Sequence, residues 1–257
     1  MSIIRSSVIG AWHPFSEPLE ARVPYMYVDV LGLVTTGVGN LIDSVAAAQK
    51  LPWRKPGGQL ASASEVAGHW QLLKDNRARL AKLHHRYTKI FFENAYGFAL
   101  TLSDAAIDKV VADKLESNAD YLEARHFPNF AEYNADLQLV LLSIAWAVGP
   151  GFPVKFPTFT RAVNNDDMKV AVEQCAIRTA GNPGVIPRNY LNMAHLIADG
   201  PDADRLYGPC QLGVGHVGAK GMDRWPVLRD WATAHGIQFV TDSSGKSKVF
   251  ALPRAVA

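Results

Sequence analysis

Glu20 is separated by eight residues from Asp29, which is separated by five from Thr35, and Thr35 leads into Thr36-Gly37-Val38-Gly39-Asn40. Hydrolysis of a glycosidic bond with inversion calls for two carboxyl groups. One, protonated, delivers its proton to the leaving oxygen, and the other, ionised, activates water on the opposite face of the sugar. A hydroxyl beside the second carboxyl can orient that water. Taken singly, each residue also has a plainer role: Glu20 a solvated charge at a helix end, Asp29 a residue bonding its own turn, Thr35 a strand former. Glu17 is the nearest other acid, and the spacing to Asp29 favours Glu20.

The elements that must position these groups are legible around them. Tyr25–Val30 and Val34–Gly39 are rich in β-branched and aromatic residues and flank Leu31-Gly32-Leu33, the pattern of a hairpin. With Gly32 at the centre of a three-residue loop, Val30 pairs with Val34 and Asp29 lies opposite Thr35, with Cβ atoms roughly 5 Å apart. Ahead of them, Pro14 to Pro18 reads as a loop or a loosely wound helix start. From Ile42 onward the signals are helical. Ser62-Ala-Ser-Glu65 caps a helix running through Lys74. Leu80, Leu83, Tyr87, Ile90 and Phe91 form an apolar stripe, with Arg79, Lys82, Arg86 and Lys89 as a solvated face. Ser103-Asp104 opens a helix with Ile107, Val110, Val111 and Leu115 inward. Asp136–Val148, apolar nearly all round, reads as a central buried helix ended by Gly149-Pro150-Gly151. Further helices are expected over Phe159–Val163, Asp167–Thr179, Pro187–Ile197 and Trp225–His235, and a second hairpin over Gln238–Val240 and Lys248–Leu252.

The stretch Glu20–Asn40 resembles the catalytic segment of the bacteriophage-type lysozymes, the endolysins that cleave bacterial peptidoglycan. Glu20, Asp29, Thr35, Gly37 and Gly39 match its five motif positions. Two distant segments add to the resemblance. Asn134–Phe152 is similar to that family's central helix and its closing Val-Gly-x-Gly turn, and Asn182–Asn189 to its Pro-Gly-Leu-x-x-Arg segment. The resemblance implies a mainly helical α+β, lysozyme-like fold with a small N-terminal β-hairpin lobe, a helical lobe and the site in the cleft. It implies metal-free cleavage, without a cofactor, of the β-1,4 bond between N-acetylmuramic acid and N-acetylglucosamine. Glu20 is then the general acid, Asp29 the partner of the attacking water and Thr35 its orienting hydroxyl. Gly37 and Gly39 let the backbone approach the glycan, and Arg188 holds Glu20. A cation there favours the ionised acid, so partial burial of Glu20 must oppose it. The sequence departs from the pattern at Asn40, where a His often stands, and at Ala147, where relatives often carry Asn or Gln. The region from about Arg77 to Asn129 is longer than in small phage enzymes.

Composition limits the alternatives. The chain has 257 residues, 48% hydrophobic, with Lys+Arg 26 against Asp+Glu 24, a net charge of +2. Such a chain folds around its own core, and its charge is too balanced for a nucleic-acid binder. Cys175 and Cys210 read as reduced, buried thiols. His84-His85 cannot share a metal on a helix. Gly213–Gly218 is too incomplete for a nucleotide loop, and Tyr87, Phe91, Phe92, Tyr96 and Phe98 read as core. The longest apolar stretch, Leu137–Val148, is too short for membrane insertion, and Met1–Phe15 lacks a Sec-type leader. The expected organisation is a catalytic domain over 1–200 with an extension of unknown role over 201–257. Synthesis in the cytoplasm is then followed by action in the periplasm or wall after holin release or dedicated secretion. The expected partners are peptidoglycan and an immunity or delivery protein. A lytic transglycosylase and a non-catalytic wall-binding module are the competing readings.

Overall fold

The computed structural model describes residues 2–178, 185–197, 203–206, 238–241 and 248–251. Over these the chain is a mainly helical α+β protein with an N-terminal three-stranded antiparallel sheet and ten helices. It divides into two compact units, one of Glu20–Lys114 and one of Met1–Leu19 with Leu115–Ala257. Among the described residues no helix is long and apolar enough to cross a membrane.

The chain begins with helix α1, Ser6–Glu20, which continues through both Pro14 and Pro18. Of the two readings of Pro14–Pro18, loop or helix start, the stretch is helix, as the last part of α1 and not a start. Each proline removes an N–H from the helical ladder, while Val8, Trp12, Phe15 and Ser16 are buried and hold the helix by packing.

The Glu20–Lys114 unit carries strands β1 (Val23–Val28), β2 (Val34–Gly37) and β3 (Asn40–Leu41), in that order and antiparallel. The hairpin forms, but in a different register from the expected one: Val28 pairs with Val34 and Tyr27 with Thr35. The loop is Val30-Leu31-Gly32. The Gly32 N–H donates to the Asp29 carbonyl at 3.0 Å, the Asp29 N–H to the Leu33 carbonyl at 2.9 Å, and Gly32 has φ +80°. A three-residue hairpin loop of this kind needs a left-handed residue in its third position. Glycine therefore takes the third place and not the centre, so Asp29 faces Leu33 and sits diagonal to Thr35. The register slips again between Val23 and Tyr27, where Pro24 cannot donate to a ladder. The buried Thr36 hydroxyl covers this irregularity, donating to the carbonyls of Tyr25 at 3.2 Å and Val23 at 3.4 Å.

Short helix α2 (Val45–Gln49) leads to α3 (Ala63–Asp75), which starts at the expected N-cap Ser62, with Glu65 completing a capping box. The next apolar stripe behaves differently. It is broken into α4 (Arg77–Leu80) and α5 (Arg86–Tyr96), so the helical phase restarts. Leu80, Thr88 and Phe92 are buried, whereas Leu83, Tyr87 and Ile90, expected inward, are 40%, 42% and 48% exposed. Of the aromatic group expected in the core, Phe92, Tyr96 and Phe98 surround the buried His69 with ring centroids 4.9, 4.3 and 5.6 Å away. Tyr96 is itself 42% exposed, however, and Tyr87 stays outside that cluster. Helix α6, Asp104–Arg125, buries Ile107, Val111 and Leu115 as expected, while Val110, also expected inward, is half-buried.

In the other unit, α7 (Ala135–Val148) is buried from Ala135 to Trp146, capped by the Asn134 side chain and ended by Gly149 at φ +90°. Helices α8 (Pro157–Asn164) and α9 (Met168–Gln174) follow, the latter shorter than the expected Asp167–Thr179. Helix α10, Ile186–Ile197, packs on α7 and α9. The second hairpin is present as antiparallel β4 (Gln238–Thr241) and β5 (Lys248–Ala251). The helix expected over Trp225–His235, the Gly213–Gly218 loop and Cys210 lie outside the described residues.

Candidate active site

Glu20 is the last residue of α1, half-buried, and is followed by Ala21 at φ +61°. A left-handed residue after a helix is usually glycine, and an alanine there costs roughly 1–2 kcal/mol. The strained residue turns the chain from α1 into β1, and Arg22 anchors the turn. Its Nε donates to Asp104 at 3.1 Å and its Nη2 to Asp108 at 2.7 Å. Glu17, the other acid of α1, is paired with His13 at 2.9 Å.

Asp29 is built into the hairpin turn. Its Oδ1 accepts the N–H groups of Leu31 and Leu33, both at 2.9 Å. The plainer role read for this residue is thus fulfilled, and the two donors also fix the carboxylate's direction. Thr35 is 5% exposed, and its hydroxyl makes a long contact of 3.4 Å to the Leu33 carbonyl. The strand that carries it is anchored by Asp43, whose Oδ1 accepts the Val34 N–H and the Lys74 ammonium, both at 2.8 Å. Burial opposes ionisation of Asp43, but these two donors outweigh it and hold the carboxyl below its ordinary value.

Tyr27 pairs across the sheet with Thr35, and its phenol is held strongly in the neutral form, first by burial and then by the negative charges of Glu20 and Asp29. His85 packs on Tyr27 with centroids 5.8 Å apart and shares a 3.1 Å hydrogen bond with the Tyr25 hydroxyl. Burial, then the charges of His84 and Arg86, keep His85 towards its neutral form. Neither Tyr27 nor His85 was singled out for this site in the sequence. The available signal was the spacing of Tyr25 and Tyr27 two residues apart on one strand, and both rings have His85 as a neighbour.

Gly37 has φ +62°, and a Cβ there would lie 2.9 Å from Asn40 Nδ2 and 3.4 Å from Ile107 Cγ2. The chain itself therefore needs this glycine. Gly39 has φ +69°. Asn40 is 3% exposed, and its side-chain amide has no hydrogen-bond partner among the described residues.

Arg188, in the first turn of α10, is not a surface residue. It is 2% exposed and donates from Nη1 to the Ser143 hydroxyl at 3.0 Å and carbonyl at 3.2 Å on α7. The same helix pair holds the buried Asp136–His195 contact, so polar groups join α7 and α10 at both ends. Ala147 is half-buried near the end of α7. Among the described residues, no group of three His, Cys, Asp or Glu side chains is placed to hold a metal ion.

No family model matches the chain, and no curated protein matches it.

Proposed function

We propose that the protein is a peptidoglycan hydrolase with a lysozyme-like fold, cleaving the β-1,4 bond between N-acetylmuramic acid and N-acetylglucosamine. Glu20 protonates the glycosidic oxygen. Asp29, through the oxygen not tied into the turn, takes a proton from water as it attacks the anomeric carbon from the opposite face, and Thr35 orients that water. The observation that supports this reading is that Tyr27, the strand partner of Thr35, has its phenol held neutral by burial first and then by the charges of Glu20 and Asp29. The strained Ala21 directly after Glu20 is a second support, because strained backbone recurs at functional sites. Arg188 is assigned the support of the acid, and peptidoglycan is the assigned partner. Action at the wall, delivery or immunity-protein binding through residues 201–257, and the split into a domain over 1–200 and an extension belong to the same proposal.

One observation favours a second chemistry. Asp29 Oδ1 is engaged by two backbone donors, and a lytic transglycosylase needs only one carboxyl, with the sugar's own 6-hydroxyl replacing water. Mass spectrometry of fragments released from purified peptidoglycan separates the two. Hydrolysis yields reducing muramic ends, and 1,6-anhydro ends would overturn the hydrolase reading. Binding to peptidoglycan with no fragments released would overturn catalysis altogether.

A further inference from the structure

The chain's net charge of +2 conceals a strong local asymmetry. Arg77, Arg79, Lys82, Arg86 and Lys89 fall within thirteen residues, and no acid occurs between Asp75 and Glu93. Without these five cations, the rest of the chain holds three more acids than bases. All five are exposed on α4, α5 and the turn between them. Lys89 has a long contact of 3.7 Å to Glu93, and Arg79 and Lys82 form no ion pair among the described residues. Between the cations stand His84, which is exposed, and side chains with large apolar surface. Leu83, Tyr87 and Ile90 are the exposed stripe described above, and Arg86 lies over the Tyr87 ring at 5.1 Å. The hairpin tip adjoins this surface, since the Arg77 side chain passes Gly32 at 3.8 Å from where a Cβ would stand. At that tip Val30 and Leu31 are 81% and 78% exposed.

We infer that this face docks the protein on an anionic lipid surface. Cations in a row could serve any polyanion, but a soluble polyanion leaves Leu83, Ile90, Val30 and Leu31 in water. A lipid interface accepts both parts, with basic side chains among the headgroups and aliphatic ones at the acyl boundary. The contact is peripheral and adds to the proposed glycan chemistry without depending on it.

The full-length protein is sedimented with phosphatidylcholine vesicles, with and without about one third phosphatidylglycerol. Arg79→Gln/Lys82→Gln and Leu83→Ser/Ile90→Ser are compared with wild type after their thermal midpoints show that they fold. Wild type is expected to pellet with the anionic vesicles only. At about fivefold per charge near such a surface, the charge variant partitions roughly 25-fold more weakly. Partial loss of two aliphatic contacts weakens the other variant by about tenfold. Release of fragments from purified peptidoglycan stays unchanged in both, which separates this surface from the catalytic reading. No pelleting, or equal pelleting with uncharged vesicles, would overturn the inference. So would binding to soluble polyphosphate as tight as to vesicles and indifferent to Leu83→Ser/Ile90→Ser, which would make the site one for polyanions.

Discussion

Replacing Gly37 by alanine separates two reasons for a glycine there: space for a glycan, or space for the chain itself. At φ +62° an L-residue costs about 1–2 kcal/mol. The added Cβ stands 2.9 Å from Asn40 Nδ2 and 3.4 Å from Ile107 Cγ2. Overpacking of this kind costs about 1–3 kcal/mol, towards the low end here because the nearest atom ends a side chain. Stiffening of the unfolded chain returns about 0.4–1 kcal/mol. The expected net loss for Gly37→Ala is therefore about 2 kcal/mol, measured by urea unfolding followed through tryptophan fluorescence. Gly32→Ala is the control. Its φ is +80°, but the nearest atom is Arg77 Cδ at 3.8 Å, so only the conformational cost of about 1 kcal/mol remains. Adding Asn40→Ala to Gly37→Ala removes the close contact without breaking a hydrogen bond among the described residues, and restores about 1 kcal/mol. Below its unfolding midpoint, Gly37→Ala should clear peptidoglycan within about twofold of wild type, as expected when ΔΔG acts on the fold alone. Equal losses for the two glycines, or no recovery with Asn40→Ala, would refute this reasoning. A loss of activity in folded Gly37→Ala would return the glycine to the glycan.

Three further outcomes follow from the same geometry. His69 is buried, and burial lowers its pKa against the opposing bonds to the Glu65 and Phe98 carbonyls. The unfolded chain then binds the proton more readily. Stability is full above the ordinary histidine value and falls as pH drops through the lower folded value, so acidification from about pH 7 to about pH 5 lowers the thermal midpoint, and His69→Gln flattens that fall. Lys74→Met leaves Asp43 without its ammonium partner and costs about 1.5–3 kcal/mol at neutral pH in urea unfolding. Because the Asp43 pKa is lowered in the fold, the wild-type advantage is present above about pH 4 and shrinks below it; a constant difference across pH would contradict the pairing. Cys175 is buried, with its thiol pushed up to about 12. Peptide mapping after iodoacetamide should find Cys175 unmodified in the native protein and alkylated in denaturant.

Some of this architecture is readable from local sequence because a single element determines it. Helix α7 is apolar on every side, and the structure buries it from Ala135 to Trp146. Ser62 and Glu65 announce α3 through a box that needs no tertiary partner. The hairpin register was not readable, because it turns on which loop position takes the left-handed residue, and Gly32 fits two placements. The break between α4 and α5 carries no glycine or proline, so the stripe of Leu83, Tyr87 and Ile90 imitates a continuous buried face. The candidate site divides in the same way. The spacing of Glu20, Asp29 and Thr35 is written in the sequence, but the pairing of Thr35 with Tyr27 depends on the strand register. Spacing alone also does not show the burial of Arg188 against Ser143.

The central claim is that Glu20 delivers the proton that cleaves the glycan. Its most direct test is the rate at which purified peptidoglycan suspensions clear with wild type and with Glu20→Gln, which keeps the shape and removes the acid. A loss of about a hundredfold or more is expected in the variant, with its thermal midpoint close to wild type. Clearing at the wild-type rate by folded Glu20→Gln would contradict it.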